Sequence, residues 1–216
     1  MLIIGSSRVL GQTEGIRPLL PSGLNDLQHA LPKQTRPLID AASIEHFLKQ
    51  IDGAPPDWEA VHGNGSHDDR LFTLNRERDR LRDGRIETDE RITFLWDGEL
   101  SDYDPSVGGF RLAIGPRMIT TSWGLVRFKP ESLPSNLVAI PSPQILSALL
   151  ADTVRGRKVE IIIAMTGRLV PEESIIYDFA HEEPGKGMVM PVIRIERLDY
   201  LVKYGLQAWG GSKSPH

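Results

Sequence analysis

The sequence predicts an α+β fold: a C-terminal antiparallel β-barrel or β-sandwich of about seven strands with one packed helix, preceded by a small helical segment. Two patterns carry that expectation. Ile44, Phe47, Leu48 and Ile51 recur at i, i+3, i+4 and i+7, which places them on one face of a helix. From Ile92 onwards, short runs rich in β-branched and aromatic residues alternate with glycine, proline and aspartate turn signals. The composition is that of a globular chain: 216 residues, 40% hydrophobic and 25% charged, which argues against a disordered or fibrous class.

Residues 1–37 carry Pro18, Pro21, Pro32 and Pro37, too many for a regular helix or a central strand, so this stretch reads as an irregular arm. Met1–Gly5 is long enough for one short strand. The helical segment spans 38–91. Its first helix has Ser43 as the expected N-cap, a Glu45/Lys49 pair on its surface, and Gly53, Pro55 and Pro56 as its stop. A second helix is expected from about His67 to Asp83, with Ser66 and Asp69 in a capping-box relation and Gly84 at its end. Between Arg76 and Arg91, twelve of sixteen residues are charged, six of each sign, so this helix should turn most of its surface to water. Its apolar stripe is thin: Leu71, Phe72, Leu74 and Leu81.

The β-rich domain is expected over 92–204, with a flexible tail at 205–216. Its strands are read at Ile92–Trp96, Phe110–Ile114, Met118–Phe128 with a break near Gly124, Asn136–Ile140, Val159–Met165, Ile175–Phe179 and Val189–Glu196. Asp97-Gly98 reads as a turn that opens a hairpin. One helix interrupts the strands, with Ser142 as cap, Pro143 in its first turn, and Ile145, Leu146, Leu149 and Leu150 facing the core. The nearly unbroken apolar run Ile161–Met165 suits a central strand covered on both faces, and Pro191 predicts an edge or a bulge.

Charge and cysteine content narrow the chemistry. The formal net charge is −4, with 25 basic against 29 acidic residues, which does not give the electropositive surface that a phosphate backbone requires. Nucleic acid is therefore not expected as a partner. The chain has no cysteine, which removes disulfides, zinc-thiolate sites and thiol nucleophiles. No run reaches the roughly 18 apolar residues of a spanning helix, so no transmembrane segment is expected. Met1–Gly15 does not show a signal-peptide pattern, which points to the cytoplasm unless the true start lies upstream.

Three polar clusters are the candidate sites. His62, His67 and Asp68 lie in a glycine-rich loop and offer imidazole and carboxylate ligands for a divalent metal, although their spacing matches no closed zinc motif. Acidic residues are also favoured at a helix start, which explains Asp68 without a metal. Asp102, Tyr103 and Asp104 form the second cluster, able to bind a ligand or simply to make a turn. Asp178 and His181 form the third. An Asp–His pair prompts a search for a serine nucleophile, and the chain contains no G-x-S-x-G elbow. P-loop, dinucleotide and kinase signatures are likewise absent from the sequence. The expectation is a non-enzymatic binding or interaction module with a protein partner or a small ligand and no cofactor. The alternative is a hydrolase or metal-dependent enzyme that uses these loop residues, and convergence of the clusters in one pocket would favour it.

Overall fold

The computed structural model describes residues 14–18, 31–63, 67–83, 89–170, 175–181, 183 and 186–203. The expectations for Met1–Gly5, the Ser66 cap, the Gly84 stop and the 205–216 tail lie outside the described residues.

Among the described residues the fold is α+β with four helices and an eleven-stranded sheet. In chain order the elements are β1 (Glu14–Pro18), β2 (Arg36–Leu38), α1 (Ala41–Asp52), α2 (Trp58–His62), α3 (His67–Arg82), β3 (Ile92–Asp104), β4 (Gly109–Gly115) and β5 (Met118–Thr121). Then follow β6 (Gly124–Arg127), β7 (Lys129–Pro130), β8 (Leu137–Ala139), α4 (Pro143–Val154), β9 (Val159–Leu169), β10 (Ile175–Phe179) and β11 (Gly187–Val202).

The sheet is mixed, which corrects the expectation of an antiparallel barrel or sandwich with about seven strands. Its strands follow an open path, β1-β8-β4-β3-β9-β11-β6-β5, with β2 on β3, β7 and β10 on β11, and β1 also meeting β11 at Arg17 and Pro18. The long antiparallel trio β3-β9-β11 is the spine. Parallel pairings come from the short strands: β1 with β8 and β11, β2 with β3, and β6 and β7 with β11. Side-chain periodicity reports which face a residue occupies and carries nothing about strand direction, so these pairings were not legible. Two of the short strands, β1 and β2, come from the proline-rich stretch read as irregular.

Other differences are local. Asp97-Gly98 does not turn: β3 runs unbroken through it, paired with β4 at Asp97↔Gly115 and with β9 at Asp97↔Ile162. Partners on both sides outweigh the local turn propensity. Pro191 lies in an interior strand, opposite Ile175 of β10 on one side. On the other side it falls between the β6 pairing at Met188 and Val189 and the β7 pairing at Val192 and Ile193. The missing N–H thus sits where the ladder changes partner.

α1 is capped by Asp40, not Ser43. The Asp40 carboxylate accepts the Ser43 backbone N–H at 2.8 Å, and the Ser43 hydroxyl faces the Asp40 N–H at 3.3 Å, which completes a capping box. Both residue types cap helices well, so the sequence alone allowed either. Ile44, Phe47, Leu48 and Ile51 are fully buried as their spacing requires.

They join one large core cluster with Phe94, Trp96, Phe110, Ile161, Ile163, Tyr177 and Tyr200. The opposite face of the spine holds a smaller cluster of Leu31, Leu95, Ile162, Ala164 and Leu201. β9 is accordingly covered on both faces, as its apolar run predicted. Along the spine a hydroxyl ladder runs from Thr35 to Thr93 (3.0 Å) and Thr166 (2.7 Å), the last two fully buried.

Candidate functional site

The β3–β4 hairpin turns at Asp104. Its Oδ1 accepts the Ser106 N–H (3.0 Å) and the Ser106 hydroxyl (2.5 Å), while its carbonyl accepts the Gly108 N–H at 2.9 Å. These bonds, the Ser106 hydroxyl first, hold the Asp104 carboxyl below the usual carboxylate range. Gly108 has φ 68°, a left-handed conformation that closes the turn. Asp104 is therefore an ionised carboxylate fixed by its own turn.

Just below the turn, the β3–β4 register shifts between Leu100 and Tyr103. One inserted residue reverses the alternation, so Asp102 points to solvent and Tyr103 packs inward against Phe110, with ring centroids 5.0 Å apart. The strand β4 then has β3 on one side along its length. On its other side β8 pairs only with Phe110 and Arg111, at Ala139 and Val138. From Leu112 to Gly115 that second edge of β4 has no strand partner among the described residues.

A cavity of about 410 Å³ lies along this edge. Its walls are Asp104 at the hairpin, Arg111, Leu112 and Ile114 of β4, and the stretch Pro134–Val138 that leads into β8. Leu112, Ile114 and Leu137 give it apolar walls, and Asp104, Arg111, Ser135 and Asn136 give it polar ones. Arg111 faces Asp104 at 4.0 Å, the long limit of an ion pair, and keeps 68% of its side chain exposed against 30% for Asp104. Such a volume lies within the range of ligand clefts, and a mostly apolar lining with a few convergent polar groups is their usual make-up. Two further hollows flank the helices, one between α2 and α3 beside Val61 and Leu74, the other beside α1 at Glu45 and Trp123.

Of the sequence-predicted residues, Asp104 lines the cavity, Tyr103 packs on Phe110 behind it, and Asp102 is exposed on the bulge. Asp178 and His181 lie elsewhere. Asp178 accepts the N–H of its neighbour Phe179 at 2.8 Å, and His181 is exposed in the turn after β10. β10 pairs with the start of β11, Gly187–Pro191, whereas β3 leads past the opposite end, where Val202 pairs Ile161 and Gly98 pairs that same Ile161. The two clusters therefore sit at opposite ends of the spine and do not converge.

His62 stacks obliquely on Phe179 with centroids 4.7 Å apart, and its Nε2 is buried without a hydrogen-bond partner. Asp68 is exposed in the first turn of α3, and the His67 side chain lies outside the described residues. Among the described residues no group of three or more His, Asp and Glu side chains is gathered for a metal.

Sequence reading missed two features. Arg111 and Asn136 line the cavity, yet isolated surface polar residues leave no spacing signature. Arg82, read as part of a solvated helix, is buried. Its Nε and Nη2 donate to Asp52 at 2.7 and 3.0 Å, and its Nη1 donates to the Ile175 carbonyl at 3.0 Å and to Asp79 at 2.8 Å. Tyr177 donates its hydroxyl to the same Asp52 carboxylate. Burial, then the Asp52 charge, drives the Tyr177 hydroxyl far above its ordinary pKa. Every member of this knot is satisfied, and it ties α1, α3 and β10 together. It is a structural clasp.

Comparison with family models, with curated proteins and with solved structures finds no match for the chain. Among the described residues no helix is long and apolar enough to cross a membrane.

Proposed function

We propose that this protein is a non-enzymatic interaction module that takes up an extended polypeptide segment along the second edge of β4. The observation that carries the reading is the coincidence of a strand edge, Leu112–Gly115, that has no strand partner among the described residues with a cavity along that edge. An unpaired strand edge presents a row of backbone N–H and C=O groups, and the ligand that matches such a row is another extended backbone. The half-buried Leu112 and Ile114 then supply pockets for alternate side chains of the added strand.

The distribution of polar groups favours binding over catalysis. Asp104 is committed to its own turn, and the Asp178/His181 pair stands at the far end of the sheet. The reading is tested by binding a fluorescent pool of randomised hexapeptides to the wild-type protein and to Ile114→Asp, with folding of the variant verified by circular dichroism. Saturable binding by the wild type that the folded variant loses supports it. Binding that is absent, or unchanged in the variant, overturns it.

A further inference from the structure

We infer that the hollow between α2 and α3 receives an arginine side chain of a partner polypeptide, its alkyl stem on the apolar wall and its guanidinium at the carboxylates around it. The site shares no lining residue with the β4 groove and goes beyond strand addition there.

Two consecutive helices build the hollow. Arg70 of α3 donates from Nη1 to the Ala60 carbonyl of α2 at 2.8 Å, which ties the helices together. Between them Val61, 8% exposed, and the half-buried Leu74 form an apolar wall. The space is about 360 Å³, at the small end of ligand clefts, which suits one long side chain rather than a second helix.

Charge selects the tip of that side chain. Asp57, Asp69 and Glu77 all line the hollow, and none of them is in an ion pair among the described residues. Among the described residues Arg70 is the one cation in the wall, and its Nη1 is given to the Ala60 carbonyl. The other arginines of α3 do not line it. Arg76 lies over the Phe72 ring at 5.5 Å, Arg78 donates to the Asp52 and Ala54 carbonyls at 2.9 and 2.7 Å, Arg82 is held by Asp52, and Arg80 is exposed. Three carboxylates against one guanidinium leave the wall net negative. Helix starts favour acids, which accounts for Asp57, whose Oδ1 accepts the Ala60 N–H at 3.0 Å, and for Asp69 in the first turn of α3. Glu77 stands in the middle of α3, where no such role exists.

An apolar wall beside uncompensated carboxylates matches a side chain that is apolar along its stem and cationic at its tip. Arginine fits better than lysine. Its guanidinium is more weakly hydrated, so it loses less on approaching the apolar wall, and its planar fork of donors suits carboxylate oxygens.

The test titrates the full chain with acetyl-Ala-Arg-Ala-amide and with its citrulline counterpart, which has nearly the same shape without the charge. The amides of Val61, Thr73 and Leu74 are followed by nuclear magnetic resonance. Saturable shifts at these amides are expected, with the arginine peptide bound about threefold to tenfold more tightly than the citrulline one. Asp69→Asn combined with Glu77→Gln, both at exposed positions, should bring the two peptides level. Free guanidinium ion, a tip without a stem, should bind more weakly than the arginine peptide. Absence of saturable shifts at these amides, or equal binding of the two peptides by the wild type, overturns the inference. A preference for arginine that survives in the double variant also overturns it, because Asp69 and Glu77 then do not read the charge. Binding of free guanidinium as tight as that of the arginine peptide overturns it as well and leaves an adventitious cation only.

Discussion

Arg82 grips Asp52 with two parallel hydrogen bonds, from Nε at 2.7 Å and from Nη2 at 3.0 Å, and the two side chains are 3% and 0% exposed. The pair joins the last turn of α3 to the last residue of α1, and Tyr177 of β10 completes it. Burial opposes the Arg82 charge, and the hydrogen bond and charge of Asp52 outweigh it, so the Arg82 pKa moves up. Removing one partner strands the other charge without water. Arg82→Ala or Asp52→Ala should each lower unfolding stability by about 3–5 kcal/mol in urea titrations. The double variant Asp52→Leu with Arg82→Met should recover a large part of that loss, because no buried charge is left unpaired.

The hydroxyl ladder gives a second, neutral case of the same logic. Thr93 and Thr166 are fully buried and share a hydrogen bond of 2.7 Å between neighbouring spine strands. Thr166→Val should cost about 0.5–1.5 kcal/mol, the net worth of one hydrogen bond, since Thr93 keeps Thr35 as a partner. Thr93→Val combined with Thr166→Val should cost less than the two singles added together. A double-mutant cycle by chemical denaturation reads the coupling.

Trp58 lies flat against the start of β11. A Cβ placed on Gly187 would stand 1.9 Å from its Cε2, and the indole N–H donates to the Trp123 carbonyl at 2.7 Å. Gly187→Ala must therefore push the ring aside. The expected result is a loss of about 1–3 kcal/mol of stability, as for an overpacked core, with a change in tryptophan emission as the indole leaves its acceptor. An unchanged emission spectrum and stability would contradict this packing.

Acid stability should report the α1 cap. The Ser43 backbone N–H, then its hydroxyl, lower the Asp40 pKa from the ordinary 3.8. A lowered folded-state pKa means that the unfolded chain binds the proton more readily, so this contribution is present above the unfolded value and fades as pH falls through the folded one. Asp40→Asn keeps an accepting oxygen and removes the titration. The stability difference between wild type and Asp40→Asn should thus shrink between about pH 5 and about pH 2. Asp40→Ala should cost about 1 kcal/mol at neutral pH.

These residues also show what the sequence can carry. Ile44, Phe47, Leu48 and Ile51 were legible because a buried helix face imposes its period on adjacent residues, and Ile161–Met165 because a strand covered on both faces admits little else. Arg82 was not legible, since its burial depends on Asp52, thirty positions away in the chain, and no local pattern encodes that partner. The β3 bulge hid the site in a similar way. By strict alternation Asp102 would face inward; the extra residue sends Tyr103 inward instead and leaves Asp104 at the groove. Asp104 was found as a turn-forming acid, whereas the open β4 edge arises from where β8 happens to leave the ladder, at Leu137, which is a property of chain path.

Strand addition is tested most directly at the backbone of β4. The measurement is amide hydrogen exchange, resolved by nuclear magnetic resonance, at Leu112, Ala113, Ile114 and Gly115 with and without the randomised hexapeptide pool. The account predicts slower exchange at alternate amides of this stretch, those whose N–H groups point away from β3, with the β9 amides unchanged. Exchange at these four positions that is the same in the presence of saturating peptide would contradict it.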